Sequence, residues 1–275
     1  MPEVGVVAGP SVAGVLRDAT SALSATSDTA RLDAELLLAS ALGVDRSRLI
    51  VDARASVDAD TLAHFDALVA RRWAREPVAY ILGRKDFRRT TLSVDRRVLI
   101  PRPETELLVE VGLRLPFGAS VVDVGTGSGA VALALKDERP DLRVWATDVD
   151  AGALAVAGQN GAHLGLGVEF VQADLLDGVG RSFDAVLANL PYVAAGAELP
   201  PDVSGYEPAG ALFGGEDGLD VIRRLVASVG DVPLVALEVG FDQAQAVAAL
   251  LASHTNSIEI VRDLAGHERV VVGRR

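Results

Sequence analysis

Apolar and polar positions along this chain change rhythm twice. Between about residues 28 and 75 the apolar residues recur every three or four positions, the spacing of helices that bury one face. Asp28 or Thr29 can cap a helix running through Leu42, with Leu32, Leu36 and Ala39 expected on its inner face and Gly43 as its stop. A second helix is expected over 58–75, with Leu62, Phe65 and Val69 in register, ended by Pro77. Residues 11–25 carry a weaker helical pattern, and the first ten read as a frayed end. The rhythm shortens at 87–94 and 97–100, which read as a hairpin or strand-like connector. Pro101-Arg102-Pro103 then interrupts regular structure, and Glu104-Thr105-Glu106 opens a helix through Arg114.

After residue 120 the rhythm changes again. Short strand-like runs at 120–124, 143–147, 168–172, 184–189, 234–239, 258–262 and 269–273 alternate with helical stretches. Such alternation predicts a mostly parallel sheet covered on both faces. The last two runs are joined by six residues, Asp263 to Glu268, too few for a crossover helix, so they should pair antiparallel. The expected organisation is a helical domain over 1–85, a hairpin linker over 86–104 and an α/β domain over 105–275.

Composition narrows the chemistry. There is no Cys, which removes disulfides, thiolate catalysis and Cys-ligated zinc, and the four His show no metal-type spacing, so no metal is expected. Apolar stretches are soon broken by charge, so neither a membrane span nor a membrane partner is expected, and with no signal peptide a cytoplasmic location is. A net charge of −12 argues against a general nucleic-acid binder. The charge is uneven: residues 71–102 carry +7, leaving −19 elsewhere. That basic segment is either a solvated face or a contact surface for an RNA-associated or acidic partner.

Two motifs carry chemistry. Gly125-Thr126-Gly127-Ser128-Gly129 lies between a strand and a helix, where glycines let a ligand approach the backbone. Dinucleotide enzymes use similar turns, but this spacing is tighter than G-x-G-x-x-G. Asp148 ends the next strand, where a carboxylate can accept both hydroxyls of a ribose; the alternative is a helix N-cap. Asp174 is placed to reach an adenine amino group and Leu175 to pack on its ring, with a plain turn role as the alternative for each. The second motif, Asn189-Leu190-Pro191-Tyr192, follows another buried strand. Asn189 offers a carbonyl acceptor, Pro191 stiffens the turn so that a backbone carbonyl points into the site, and Tyr192 offers a flat face. Two acceptors and a face suit a planar NH2, of an amide or a base. Tyr192 can instead be a core or interface residue. Glu104, Thr105 and Glu106 either line the cofactor entrance or cap their own helix.

Over nearly the whole chain after residue 28 the sequence resembles the HemK/PrmC family of release factor glutamine N5-methyltransferases. The resemblance runs through Arg75-Glu76-Pro77, Tyr80-Ile81-Leu82-Gly83, Phe87, Leu99 to Glu106, and Asp123 to Gly129. It continues through Asp148, Glu207-Pro208, Ala211-Leu212, Gly215 to Leu219, Glu238, Gln243, Asp263, Gly266 and Arg269. It implies a Rossmann-like class I fold that uses S-adenosyl-L-methionine, bound by Gly125 to Gly129, Asp148, Asp174, Leu175 and Asn189. It further implies that residues 189–192 bind a release-factor glutamine; separately, a monomer is expected. The family's tetrapeptide is Asn-Pro-Pro-Tyr, and this chain has Leu190 at its second position. The backbone carbonyl survives that change. Asn-Leu-Pro-Tyr is also the form of rRNA adenine N6-dimethyltransferases, so an adenine methyltransferase acting on RNA or DNA stays open, as does a non-catalytic paralogue. Asp231-Val232-Pro233 replaces the family's Gly-Gly turn, which should shorten that loop.

Overall fold

A computed structural model describes residues 9–275; the frayed end expected for the first ten lies mostly outside the described residues. The chain forms two compact units, one comprising residues up to Gly83 with Pro200–Tyr206, the other Arg84–Leu199 with Glu207–Arg275.

The smaller unit is helical: α1 (Val12–Leu23), α2 (Ala30–Leu42), α3 (Arg48–Val51), α4 (Ala59–Trp73) and α5 (Val78–Leu82), joined by α9 (Pro201–Ser204) from far along the chain. Ser11 caps α1 by accepting from Gly14 N at 3.2 Å, and Asp58 caps α4 by accepting from Thr61 N at 2.9 Å. Gly43, at φ 66°, ends α2 in the left-handed conformation that glycine adopts without strain. The inner face of α2 differs from the expected one. Ala34, Leu37 and Leu38 are fully buried, whereas Leu32 is 39% exposed and Leu36 only half-buried. The rotation follows Asp33, which is buried and accepts from Arg72 Nε at 2.7 Å. Ser27 and Thr29 hydroxyls also donate to that carboxylate, so all its partners lie on one side of the helix.

The larger unit begins with an antiparallel hairpin, β1 (Arg84–Phe87) and β2 (Thr90–Ser93). The hairpin packs into this unit and is not a separate connector. Phe87 and Leu92 are buried in its core, and Arg88 reaches Glu138 at 2.7 and 2.8 Å. Asn160 Oδ1 accepts from Ser93 N at 2.8 Å while its Nδ2 donates to Ser93 O and Ser128 O, tying the hairpin to the Gly-rich turn.

Then come α6 (Glu106–Gly112), β3 (Ser120–Val124), α7 (Ala130–Glu138), β4 (Arg143–Asp148), α8 (Ala151–Leu164), β5 (Glu169–Gln172) and β6 (Ala185–Ala188). After the α9 excursion follow α10 (Asp220–Ser228), β7 (Leu234–Glu238), α11 (Ala244–Leu251), β8 (Ser257–Arg262) and β9 (Glu268–Arg274). The seven-stranded sheet has the order β5-β4-β3-β6-β7-β9-β8. Strands β3 to β7 pair parallel, and β9 pairs antiparallel with β7 and β8, as the short 263–268 connection requires. Along β3, Val121 packs into one apolar cluster and Val122 and Val124 into the other, so both faces of the sheet are covered. Strand order reverses at β3: the chain runs outward through β4 and β5, then returns to place β6 on the other side. Crevices beyond the carboxyl ends of strands at such a reversal are where ligands bind in open α/β sheets.

Candidate active site

Every strand-end motif found in the sequence opens onto that crevice. It holds a cavity of about 340 Å³ lined by Gly125 to Ser128 after β3, Asp148 at the end of β4, Asp174 and Leu175 after β5, and Asn189 to Pro191 after β6. Gly129 and Tyr192 are outside this lining. Gly129 takes φ 83° at the start of α7, where an added Cβ would sit 2.9 Å from Leu133 Cδ1, so its part is close helix packing.

The loop after β3 is held from below. Asp123, fully buried, accepts from Thr126 Oγ1 at 2.6 Å and from Ala132 N at 3.3 Å. Burial pushes its carboxyl up to about 6. Asp148 Oδ2 accepts from Gly127 N at 2.9 Å and Oδ1 from Asp150 N at 3.0 Å. The N-cap alternative for Asp148 falls to its neighbour, since Asp150 accepts from Gly152 N at 2.6 Å and caps α8. Desolvation raises the pKa of the Asp148 carboxyl, which lines the cavity wall. A Cβ at Gly127 would meet nothing within 4 Å, so the floor there is bare backbone facing open space. A carboxylate at one wall, bare backbone below and the apolar sides of Val149, Leu175 and Val221 fit a nucleoside with a charged tail. Leu175 holds φ 57°, unusual for a leucine, and its carbonyl accepts from Thr147 Oγ1 at 2.9 Å. The Asp174 carboxylate is engaged by Arg224 at 2.6 Å, a partner the sequence did not disclose.

The tetrapeptide is buttressed by backbone. Val193 N donates to Leu212 O and Gly214 N to Val193 O, both at 2.9 Å. A Cβ at Gly214 would stand 2.3 Å from Pro191 O, and one at Gly218 would stand 2.2 Å from Tyr192 O. Close approach explains these glycines. Gln243 Nε2 also donates to Tyr192 O at 2.9 Å. Leu190 is buried, and its side chain packs among Val122, Val124, Ala188 and Leu219. Tyr192 is half-buried against the same cluster, and burial raises its hydroxyl's pKa.

Leu99, Pro101, Arg102, Thr105, Pro208 and Ala211 also line the cavity. Glu207, buried between these segments, accepts from Ile100 N at 3.1 Å and pairs with Arg102. Thr105 Oγ1 accepts from Asn189 Nδ2 at 3.1 Å. It therefore lines the cavity and makes no cap to its own helix. At least six of the ten basic residues in that segment are engaged by carboxylates of their own unit: Arg71, Arg72, Arg88, Arg89, Arg97 and Arg102. Much of that positive charge is thus consumed within the fold. No metal-binding cluster of His, Cys, Asp or Glu occurs among the described residues.

Two family models match the chain, the PrmC N-terminal domain over residues 14–83 and the methyltransferase small domain over 103–202. Solved structures share the fold. A methyltransferase from Pyrococcus furiosus matches at TM-score 0.52 and 16% identity, covering 66% of this chain and 87% of that one. The catalytic domain of hMettl16, solved with an RNA hairpin, matches at TM-score 0.55 and 16% identity, covering 75% and 81%. Among curated relatives, the release factor glutamine methyltransferase of Caulobacter vibrioides is 39% identical over 90% of both chains. That of Koribacter versatilis is 40% identical over 92% of this chain and 94% of its own, and that of Mycolicibacterium smegmatis 47% identical over 76% of both. With identities of this order over most of its length, on a fold whose strand-end motifs converge on one cavity, the chain belongs to the release factor glutamine methyltransferase family.

Proposed function

We propose that this chain methylates the side-chain nitrogen of a glutamine in a peptide chain release factor, using S-adenosylmethionine. The observation that carries the reading is the placement of Asn189 and Leu190 on the wall of the cavity that Asp148 and the Gly-rich loop also line. Asp148 accepts from the ribose hydroxyls, Leu175 packs on the adenine and Asp174 lies within reach of its amino group. When bound, the cofactor supplies a sulfonium methyl already activated for transfer.

A glutamine amide is a weak nucleophile because its lone pair is delocalised into the carbonyl. Asn189 Oδ1 and the Leu190 carbonyl accept its two N–H bonds, turn the lone pair toward the methyl and stabilise the positive charge that grows on nitrogen. The nitrogen forms its bond to the methyl as the methyl–sulfur bond breaks and leaves a neutral thioether, S-adenosylhomocysteine, and the nitrogen sheds one proton to solvent. Tyr192 packs against the amide plane at the outer edge of the site. Pro191 and the Gly214–Gly218 backbone hold this turn rigid, so orientation does most of the catalytic work.

The helical unit is the reader of the protein substrate. It exposes Ile50, Val51 and Trp73, the last 57% accessible, an apolar set suited to a protein partner. No described helix is long and apolar enough to cross a membrane. A cytoplasmic monomer without stable nucleic-acid binding is the form we infer, in keeping with the acidic net charge. The reading is tested by incubating the protein with labelled S-adenosylmethionine and either release factor or rRNA. Label on a release-factor glutamine supports it, whereas label on adenine would favour the reading that Asn-Leu-Pro-Tyr leaves open.

A further inference from the structure

Glu238 is a carboxyl where an apolar strand should end. It is the last residue of β7, 2% exposed. In the register of β6 and β7, Ala188 lies opposite Leu237, so Glu238 stands beside Asn189 at the next position. The Thr105 hydroxyl is the neighbour that most favours the ionised form of this carboxyl, while Oε2 is buried and makes no hydrogen bond. Thr105 in turn accepts from Asn189 Nδ2 at 3.1 Å. Thr105 and Asn189 line the cavity and Glu238 does not. The carboxyl therefore meets no substrate itself.

The three groups form a chain with a defined direction. A carboxylate can only accept, so the single Thr105 hydroxyl proton is committed to Glu238. The Thr105 oxygen must then accept, and only the NH2 end of Asn189 can donate to it. That leaves Asn189 Oδ1 as the end free to accept from an incoming amide. Without an obligate acceptor at Glu238 the hydroxyl could donate to Asn189 Oδ1, and the amide would present NH2 to the NH2 of a substrate. We propose that Thr105 and Glu238 are positioning residues that fix the Asn189 amide with its oxygen toward the substrate; this rests on the glutamine reading above.

The titratable and polar groups that act on Glu238 are Thr105, Tyr192, Glu104, Arg102 and Arg269. Desolvation, the largest influence among them, pushes the Glu238 carboxyl up to about 7. Protonation removes the obligation to accept, so the relay weakens as pH falls through neutrality.

Two measurements test the relay separately from the reaction. The chain has three asparagines, Asn160, Asn189 and Asn256, so selective 15N-Asn labelling gives three side-chain amide pairs that substitutions can assign. One Asn189 Nδ2 proton should be protected from exchange in the wild type and lose that protection in Thr105→Val. Thr105→Ser should restore it. In release-factor methylation, Glu238→Gln and Thr105→Val should lower kcat about 10- to 100-fold with KM changed less than about threefold, the pattern of lost alignment rather than lost binding. Thr105→Ser should recover most of kcat, and the acidic limb of the wild-type pH profile should be absent in Glu238→Gln. Unchanged Asn189 protection in folded Thr105→Val, or wild-type kcat in both variants, would overturn the relay. A wild type that shows the protected amide yet methylates no glutamine would overturn the function and leave the relay standing.

Discussion

Asp148 offers a direct handle on the cofactor end of the site. In the structure each of its oxygens already accepts one backbone N–H, from Gly127 and from Asp150, and the lone pairs left over face the cavity. Asp148→Ala deletes all of these acceptors while leaving the α8 cap on Asp150 untouched. An unmet polar partner costs about 1–3 kcal/mol, so the dissociation constant for S-adenosylmethionine or S-adenosylhomocysteine should rise roughly 5- to 150-fold. Part of that could come from a loosened Gly127 loop. Calorimetry with S-adenosylhomocysteine and its 2′,3′-dideoxy analogue, on wild type and variant, separates the two causes. If Asp148 grips the ribose hydroxyls, the substitution should weaken the parent ligand far more than the analogue. Equal losses for both ligands would assign Asp148 to the loop alone, and unchanged affinity for the parent would remove it from the site.

Asn189→Ala should keep the fold, since the residue lies beyond the end of β6, and lower release-factor turnover roughly 100-fold or more, read by single-turnover methylation. Leu190→Pro keeps the carbonyl but removes part of a buried side chain; it should lower unfolding free energy by about 1–2 kcal/mol while glutamine methylation holds. Loss of release-factor methylation in a folded Leu190→Pro protein would count against the glutamine reading. Glu238→Gln should change the pH dependence of stability. A buried carboxyl raised from 4.5 to about 7 binds its proton more tightly when folded, so its ionisation destabilises the native state progressively as pH rises across that window. The variant cannot ionise, and its stability relative to wild type should climb by on the order of 3 kcal/mol between pH 4.5 and 8 in denaturant titrations. A flat difference would show that Glu238 does not titrate there. A fragment starting near residue 84 should bind cofactor and lose release-factor methylation, whereas one starting near 105 should fail to fold because it lacks Phe87 and Leu92.

The α/β half was legible because its central strands β3, β6 and β7 are short apolar runs buried on both faces, and a six-residue connection leaves β8 and β9 no parallel option. The motifs at the strand ends were legible because their residue types are chemically specific. What escaped the sequence depends on distant partners. Leu36, Leu37 and Leu38 are consecutive, so periodicity alone could not choose the face of α2; the Asp33–Arg72 pair, 39 residues apart, chose it. Pro200–Tyr206 joins the helical unit across more than a hundred residues of chain, where no local pattern could point. Arg224 on Asp174 and Glu238 behind Thr105 were hidden for the same reason. The role of Gly214 and Gly218 became plain only when the carbonyls of Pro191 and Tyr192 were found against them.

In the proposed reaction a glutamine amide is what Asn189 and Leu190 hold. Purified protein, S-adenosylmethionine and an unmodified release factor, followed by peptide mass spectrometry of the product, test it most directly. The expected product carries a single methyl on the side-chain nitrogen of one release-factor glutamine, absent when Asn189→Ala replaces the wild type. A release factor left unmethylated while rRNA adenine acquires the methyl under the same conditions would contradict it.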